Sequence, residues 1–148
     1  MREAEPQITG AQRNVETVQG IYAAFGRGDL PAVLNAFSDD VEWMVTGPPE
    51  TSYAGTRRGR AQVVQFFTVL SQTVDIQQFE PREFIAQGDQ VVVVGFERLK
   101  IRSTGRIAEN HWVMIFTLRN GHVARFREYD DSAAVADAFC GGRAAPHA

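Results

Sequence analysis

The chain has 148 residues, the size of one domain, with 44% hydrophobic and 10% aromatic residues, enough to bury a core. Its net charge of −3, with acidic and basic residues interspersed, argues against a nucleic-acid partner. A single cysteine, Cys140, excludes an internal disulfide and a cysteine metal cluster. The three histidines, His111, His122 and His147, lack metal-ligand spacing, so no metal or other cofactor is expected. No apolar run approaches the ~20 residues that cross a bilayer. The opening MREAEPQITG is polar, so no secretory signal and a cytoplasmic location are expected, with no membrane partner.

Residues 1–11 read as a flexible N-terminal tail, 12–140 as one domain, and 141–148 as a second tail. Val15, Val18, Ile21, Tyr22 and Phe25 recur at spacings of three and four, which predicts a helix. Gly28 is placed to end it and Asp29 to cap a second helix carrying Leu30, Val33, Leu34 and Phe37, with Pro31 in its first turn. VEWMV alternates as a strand, with Val41, Trp43 and Val45 inward and Glu42 outward. TGPPETSYAG reads as a loop. TRRGR, with Arg57, Arg58 and Arg60, then opens a third helix marked by Val63, Val64, Phe66, Phe67 and Leu70. From about residue 75 the chain reads as a meander of strands at 78–86, 90–102, 107–118 and 122–130, separated by QGDQ, STGR and RNGH. Ser132 to Phe139 is predicted as a short helix. Helices followed by an antiparallel meander give an α+β architecture. The expected form is a cone-shaped α+β barrel, with three N-terminal helices on a curved, mainly antiparallel sheet that encloses a cavity.

YAAFGRGDLPAVLNAFSDDVEW, YAGTRRGRAQVVQFF and IFTLRNGHVARFREYDDSAA resemble the SnoaL-like branch of the nuclear transport factor 2-like superfamily, over about residues 12 to 139. That group includes polyketide cyclases, ketosteroid isomerase, epoxide hydrolases, scytalone dehydratase and non-catalytic binding domains, so function must be argued from the site. The resemblance implies a homodimer through the outer sheet face. It also implies a small apolar or polyketide-like ligand. In the cyclases an acid/base carboxylate stands at the position matching Glu128. The chain departs from its relatives elsewhere. The isomerase base aligns with Trp43 or Met44, and its oxyanion-hole acid and the cyclase histidine both fall at Met114. The isomerase's helix-one tyrosine aligns nearest Ile21, with Tyr22 one residue off.

On the third strand of the meander, Asn110, Trp112, Met114, Phe116 and Leu118 share one face, placed toward the cavity by their apolar volume. His111, Val113, Ile115 and Thr117 share the other, and His111 is read as an interface histidine. Glu128, Asp130 and Asp131 stand within four residues, and the turn decides which of them face inward. A two-residue turn at Asn120-Gly121 pairs Leu118 with Val123 and puts Arg127, Tyr129 and Asp131 inside. A three-residue loop with Gly121 in a bulge pairs Leu118 with His122 and sets Trp112 against Glu128 and Asn110 against Asp130. The second is favoured, since it buries Phe126 and agrees with the resemblance. Glu128 is then the candidate acid/base, Asp130 a second candidate at the cavity mouth, and Asp131 the cap of the last helix. Tyr22, Trp43, Tyr53, Phe67, Asn110, Trp112, Met114 and Phe126 are the candidate ligand-binding residues. The competing reading makes Glu128 a structural ion pair with Arg98 or Arg127, and the aromatic set plain core.

Two functions follow from this site. One is a cofactor-independent isomerase, cyclase or hydratase acting on an apolar oxygenated substrate. The other is a non-catalytic ligand-binding or dimeric scaffold module.

Overall fold

A computed structural model describes residues 9–140, so most of both expected tails lies outside the described residues. Helix α1 (Gly10–Gly26) starts at a capping box, in which Thr9 and Gln12 exchange side-chain-to-backbone hydrogen bonds. It therefore already includes two residues of the expected tail. Gly28 has φ 74°, a left-handed conformation glycine tolerates, and turns the chain into α2 (Leu30–Asn35). Asp29 caps α2 by accepting from the Ala32 amide at 3.2 Å. This helix is shorter than its apolar spacing suggests, because Phe37 already belongs to β1 (Phe37–Val45). Val41, Trp43 and Val45 of β1 are buried, while Glu42 turns outward to Arg58 and Arg125.

The stretch read as the opening of a third helix divides instead. Gly55–Arg58 forms β2, antiparallel to β1, and α3 (Gly59–Thr73) begins only after it. Polar GTRR shows no alternation, so pairing with β1 rather than local pattern makes it a strand. The meander follows as β3 (Val74–Gln87), β4 (Gln90–Ile101), β5 (Ile107–Arg119) and β6 (His122–Tyr129), and α4 (Ser132–Phe139) closes the described chain.

The six strands lie in the order β2-β1-β6-β5-β4-β3. All pairs are antiparallel except β1 with β6, which run parallel. The fold is α+β as expected, but the sheet is not closed into a barrel: β2 and β3 are its free edges. Helix α1 lies over β3 and β4, α3 over β1 and β2, and α4 against β5. Between helices and sheet sits one core in which Val18, Phe37, Trp43, Val63, Trp112 and Phe126 are buried. The inner face of β4 carries Gly95 for a steric reason. A Cβ there would stand 2.3 Å from Cζ2 of Trp112, whose ring packs against those of Tyr22 and Phe79.

The last hairpin follows neither expected register throughout. Its turn is the two-residue form, with Asn120 and Gly121 both at positive φ, 53° and 78°, pairing Leu118 with Val123. Ala124 then stands as an extra residue, since the next pair is Thr117 with Arg125. This bulge restores the inward orientation of Phe126 and Glu128. Phe126 now faces Phe116, and Glu128 faces Met114 rather than Trp112.

Candidate functional site

Three neighbouring strands deliver the polar residues. On β4, Val91, Val93, Leu99 and Ile101 point into the core, and Glu97 occupies the same face, 7% exposed. Directly across on β5 stands Asn110, 1% exposed. Glu128 of β6 is 7% exposed and shares its face with Asp130, just past the strand end. The backbone carbonyl of Glu128 accepts from both the amide and the hydroxyl of Thr46, each at 3.0 Å, which holds the end of β6 against the end of β1.

Asn110 ties the carboxyls together. Its Nδ2 donates to Glu97 Oε2 at 2.7 Å and to Asp130 Oδ1 at 3.0 Å. Its Oδ1 accepts from the Asp131 amide at 2.8 Å. A flipped amide would set its N–H groups against that backbone donor and its oxygen against two carboxyls, so the orientation is chemically determined. Asp131 itself caps α4, accepting from the Ala134 amide at 3.3 Å. The site and the last helix thus share a hydrogen-bonded chain.

Burial disfavours charge on all three acids. It pushes the Glu97 carboxyl up to about 8, against the pull of the Asn110 amide and with help from Asp130. Glu128 is raised well above the usual carboxylate range by burial first, then by the charge and hydrogen bond of Asp130 and by Glu97. Asp130 is raised by burial but held back by the hydrogen bonds of Glu128 and Asn110. Two carboxyls sharing one proton explain this split. The Asp130 charge and hydrogen bond favour the protonated form of Glu128, while the same contact favours charge on Asp130. Glu128 makes no ion pair among the described residues, and Arg98 pairs instead with Glu109 at 3.5 Å.

Glu97 and Glu128 end a cavity of about 70 Å³. Among the sequence-predicted residues, Tyr22, Trp43, Tyr53, Phe67, Met114, Phe126 and Glu128 line it. Asn110, Trp112 and Asp130 do not: Asn110 and Asp130 stand behind the other carboxyls, and Trp112 is packed under Tyr22. Trp43 stacks on Phe126, ring centroids 3.8 Å apart. The Tyr22 hydroxyl donates to Met114 Sδ at 3.0 Å, a weak acceptor that a ligand oxygen would displace. Burial, with Glu128 and Glu97 nearby, pushes both the Tyr22 and Tyr53 phenols up, so both are neutral donors. Glu97 is the residue the sequence reading missed. Its signal was present in VVVVGFERLKI, where it alone puts a charge on the strand's apolar face.

Glu97, Glu128 and Asp130 can bring one oxygen each within 4.8 Å of one another, a grouping a hard cation would use. Metal binding needs deprotonated ligands, and burial disfavours the charged form of all three. The arrangement therefore suits proton transfer better than metal coordination.

Helices packed on an open six-stranded sheet, with an aromatic cavity ending in carboxyls between them, define the class of α+β fold. This chain belongs to the SnoaL-like domain family, which it matches over residues 18–126. Glu128 and Asp130 lie just beyond that stretch. A nuclear transport factor 2-like protein of Burkholderia xenovorans LB400 is 40% identical, covering 88% of this chain and 98% of its own, with a TM-score of 0.80. TerC, whose structure was determined with polyporic acid, is 29% identical, covering 86% of this chain and 98% of its own, with a TM-score of 0.77. An uncharacterised protein of Mycobacterium tuberculosis is 25% identical over 126 residues, 85% of this chain and 95% of that one.

Proposed function

We propose that this protein is a cofactor-independent acid/base enzyme of the isomerase, cyclase or hydratase type, acting on a small, largely apolar, oxygenated molecule. The observation that carries this reading is the meeting of three carboxyl groups, Glu97 and Glu128 buried at the end of an otherwise aromatic cavity and Asp130 half-buried behind them. Glu128, neutral and lining the cavity, is the proton donor to a substrate oxygen, and Asp130 behind it is the base that keeps the proton mobile. Once Glu128 has given up its proton, its carboxylate takes one from the carbon beside that oxygen, so the site ends as it began. Asn110 is a positioning residue, since both its N–H groups are already engaged by Glu97 and Asp130. Tyr22 and Tyr53 supply the hydrogen bonds to substrate. The co-crystallisation of TerC with polyporic acid supports a polyketide-like or other small organic ligand.

The test is exchange of α-hydrogens for solvent deuterium in a panel of cyclic ketones, followed by proton NMR. Wild-type protein is expected to catalyse exchange on at least one member. Glu128→Gln is expected to slow it by about 10²–10⁴-fold while the circular dichroism spectrum stays native. A Glu128→Gln variant that exchanges at the wild-type rate would sink the assignment.

The cavity volume favours a second reading, a non-catalytic ligand-binding or scaffold module. An apolar cavity of about 150 Å³ takes benzene, so about 70 Å³ holds only a very small guest unless side chains move. This reading predicts saturable binding with no exchange, and detection of a converted ligand removes it.

We further propose a homodimer formed through the outer sheet face. Support comes from Val92, Val94, Val113 and Ile115, half-buried across β4 and β5, and from Ile85 and Tyr129 beside them, 55% and 39% exposed. Such a face is costly to leave wet in an antiparallel sheet. No described helix is long and apolar enough to cross a membrane. The proposed setting is cytoplasmic, with neither nucleic acid nor membrane as partner and with no metal or other cofactor.

A further inference from the structure

We propose that the aromatic cavity is the inner half of a longer channel whose outer half is the apolar groove between α2, α3 and the start of β3, and that it takes an elongated, uncharged molecule with an oxygen acceptor at its buried end. The inference rests on the reading that the cavity holds a small oxygenated molecule, and adds its shape, charge and route of entry.

The two spaces share a wall. Phe25, Val33, Phe67 and Leu70 line both the cavity of about 70 Å³ and the groove of about 310 Å³ outside it. Phe25 and Phe67 are only partly buried, their ring centroids 6.1 Å apart. Each ring thus separates the inner space from the outer one. Rotation of either to another staggered χ1 rotamer would open one into the other. Joined to the groove, the cavity lies within the ~300–1,000 Å³ of ordinary small-molecule sites.

The lining sets the ligand's chemistry. Leu30, Val74 and Ile76 continue the groove, with Gly28, Thr68 and Ser71 as its other members, and no ionisable side chain is among them. A charged tail would be stripped of water there without a partner. Inside that wall, Trp43 lines the cavity, and its buried indole N–H has no hydrogen-bond partner among the described residues. A buried donor left unmade is unfavourable, and a ligand carbonyl or ether oxygen would satisfy it. An anionic head would meet Asp130 behind Glu128, and a cationic head would leave the indole donor unmatched. A neutral acceptor head on a long apolar body satisfies both ends.

The test uses straight-chain methyl ketones from butanone to undecanone as probes, read by NMR from the indole N–H of Trp43, assigned with Trp43→Phe. The Kd is expected to fall by about fourfold per added methylene, the equivalent of ~0.8 kcal/mol, until the chain fills the groove. Thr68→Glu, an exposed substitution on α3 that puts a charge in the groove, is expected to cut the gain from butanone to undecanone at least tenfold. Ser71→Glu is expected to do the same from the next turn. A Kd that does not improve with chain length, or that improves equally in both variants, overturns the proposal. The titration is repeated with Glu128→Gln. Chain-length dependence that survives there while deuterium exchange is lost supports both readings. Exchange unaffected by Glu128→Gln leaves the channel standing and removes the acid/base assignment alone.

Discussion

Glu97 shows how one side chain changes the chemistry of a site. Alone, Glu128 and Asp130 would be a carboxyl pair at a strand end. With Glu97 across β5, bridged to Asp130 by Asn110, a second buried acid raises the cost of charge on Glu128. The sign of the pH dependence follows. The Glu97 pKa is raised in the folded chain, from the usual 4.5 to about 8, so the folded state binds more protons between those values. Stability is therefore fullest below about 4.5 and falls as the pH rises to about 8, where the loss is complete. Glu97→Gln keeps the acceptor for Asn110 and removes this part of the slope. The variant should exceed wild type at pH 9 by on the order of 2 kcal/mol, from ~1.4 kcal/mol per pKa unit discounted for coupling to Asp130. Urea midpoints at pH 5 and pH 9 measure it, and parallel losses in both proteins would place Glu97 outside the cluster. At this scale Tyr22 and Trp43 were legible on core-facing sides because period-3.6 and period-2 patterns point side chains to faces, whereas Glu128 was placed inward only through the burial of Phe126 and the family resemblance. Asn110 was legible as inward-facing, but its role as a bridge depends on β4, which the β5 pattern cannot report.

At the scale of elements, the orientation of strand β6 depends on Ala124 standing outside the ladder. Were Ala124 paired, the turn at Asn120-Gly121 would leave Phe126 and Glu128 on the wrong face; as an unpaired extra residue it returns them to the core. Deleting Ala124 should therefore keep Phe126 and Glu128 inward, because Arg125 then follows Val123 directly and both keep their partners Thr117 and Leu118. Outward rotation of Phe126 would cost about 3–5 kcal/mol, so the deletion is expected to retain a cooperative thermal transition near the wild-type temperature. Loss of that transition would mean that the bulge itself is needed to place the strand. The turn and the bulge are both compatible with RNGHVARF, and only the competing burial of Phe126 against Arg125 chooses between them. Strand β2 was illegible for a related reason, since its backbone pairs with β1 but its side chains carry no pattern.

On the scale of the whole molecule, the two faces of the sheet divide the functions. The inner face holds the cavity and its acids. The outer face joins Val92, Val94, Val113 and Ile115 into one apolar surface, proposed as the dimer contact. Ile115→Lys lies outside the core, so it should leave the fold intact while converting a dimer to a monomer in sedimentation equilibrium. Wild-type protein that sediments as a monomer at high concentration would remove the dimer. By itself the sequence determined the order of elements, their apolar faces, the α+β class and the inward placement of most cavity residues, because all of these are periodicities within a short stretch of chain. Only the tertiary structure decided the open sheet, the parallel pairing of β1 with β6, the bulge at Ala124 and the meeting of Glu97 with Glu128 and Asp130. Each of these is a relation between one strand and another, and its energy comes from contacts that no single strand's pattern contains.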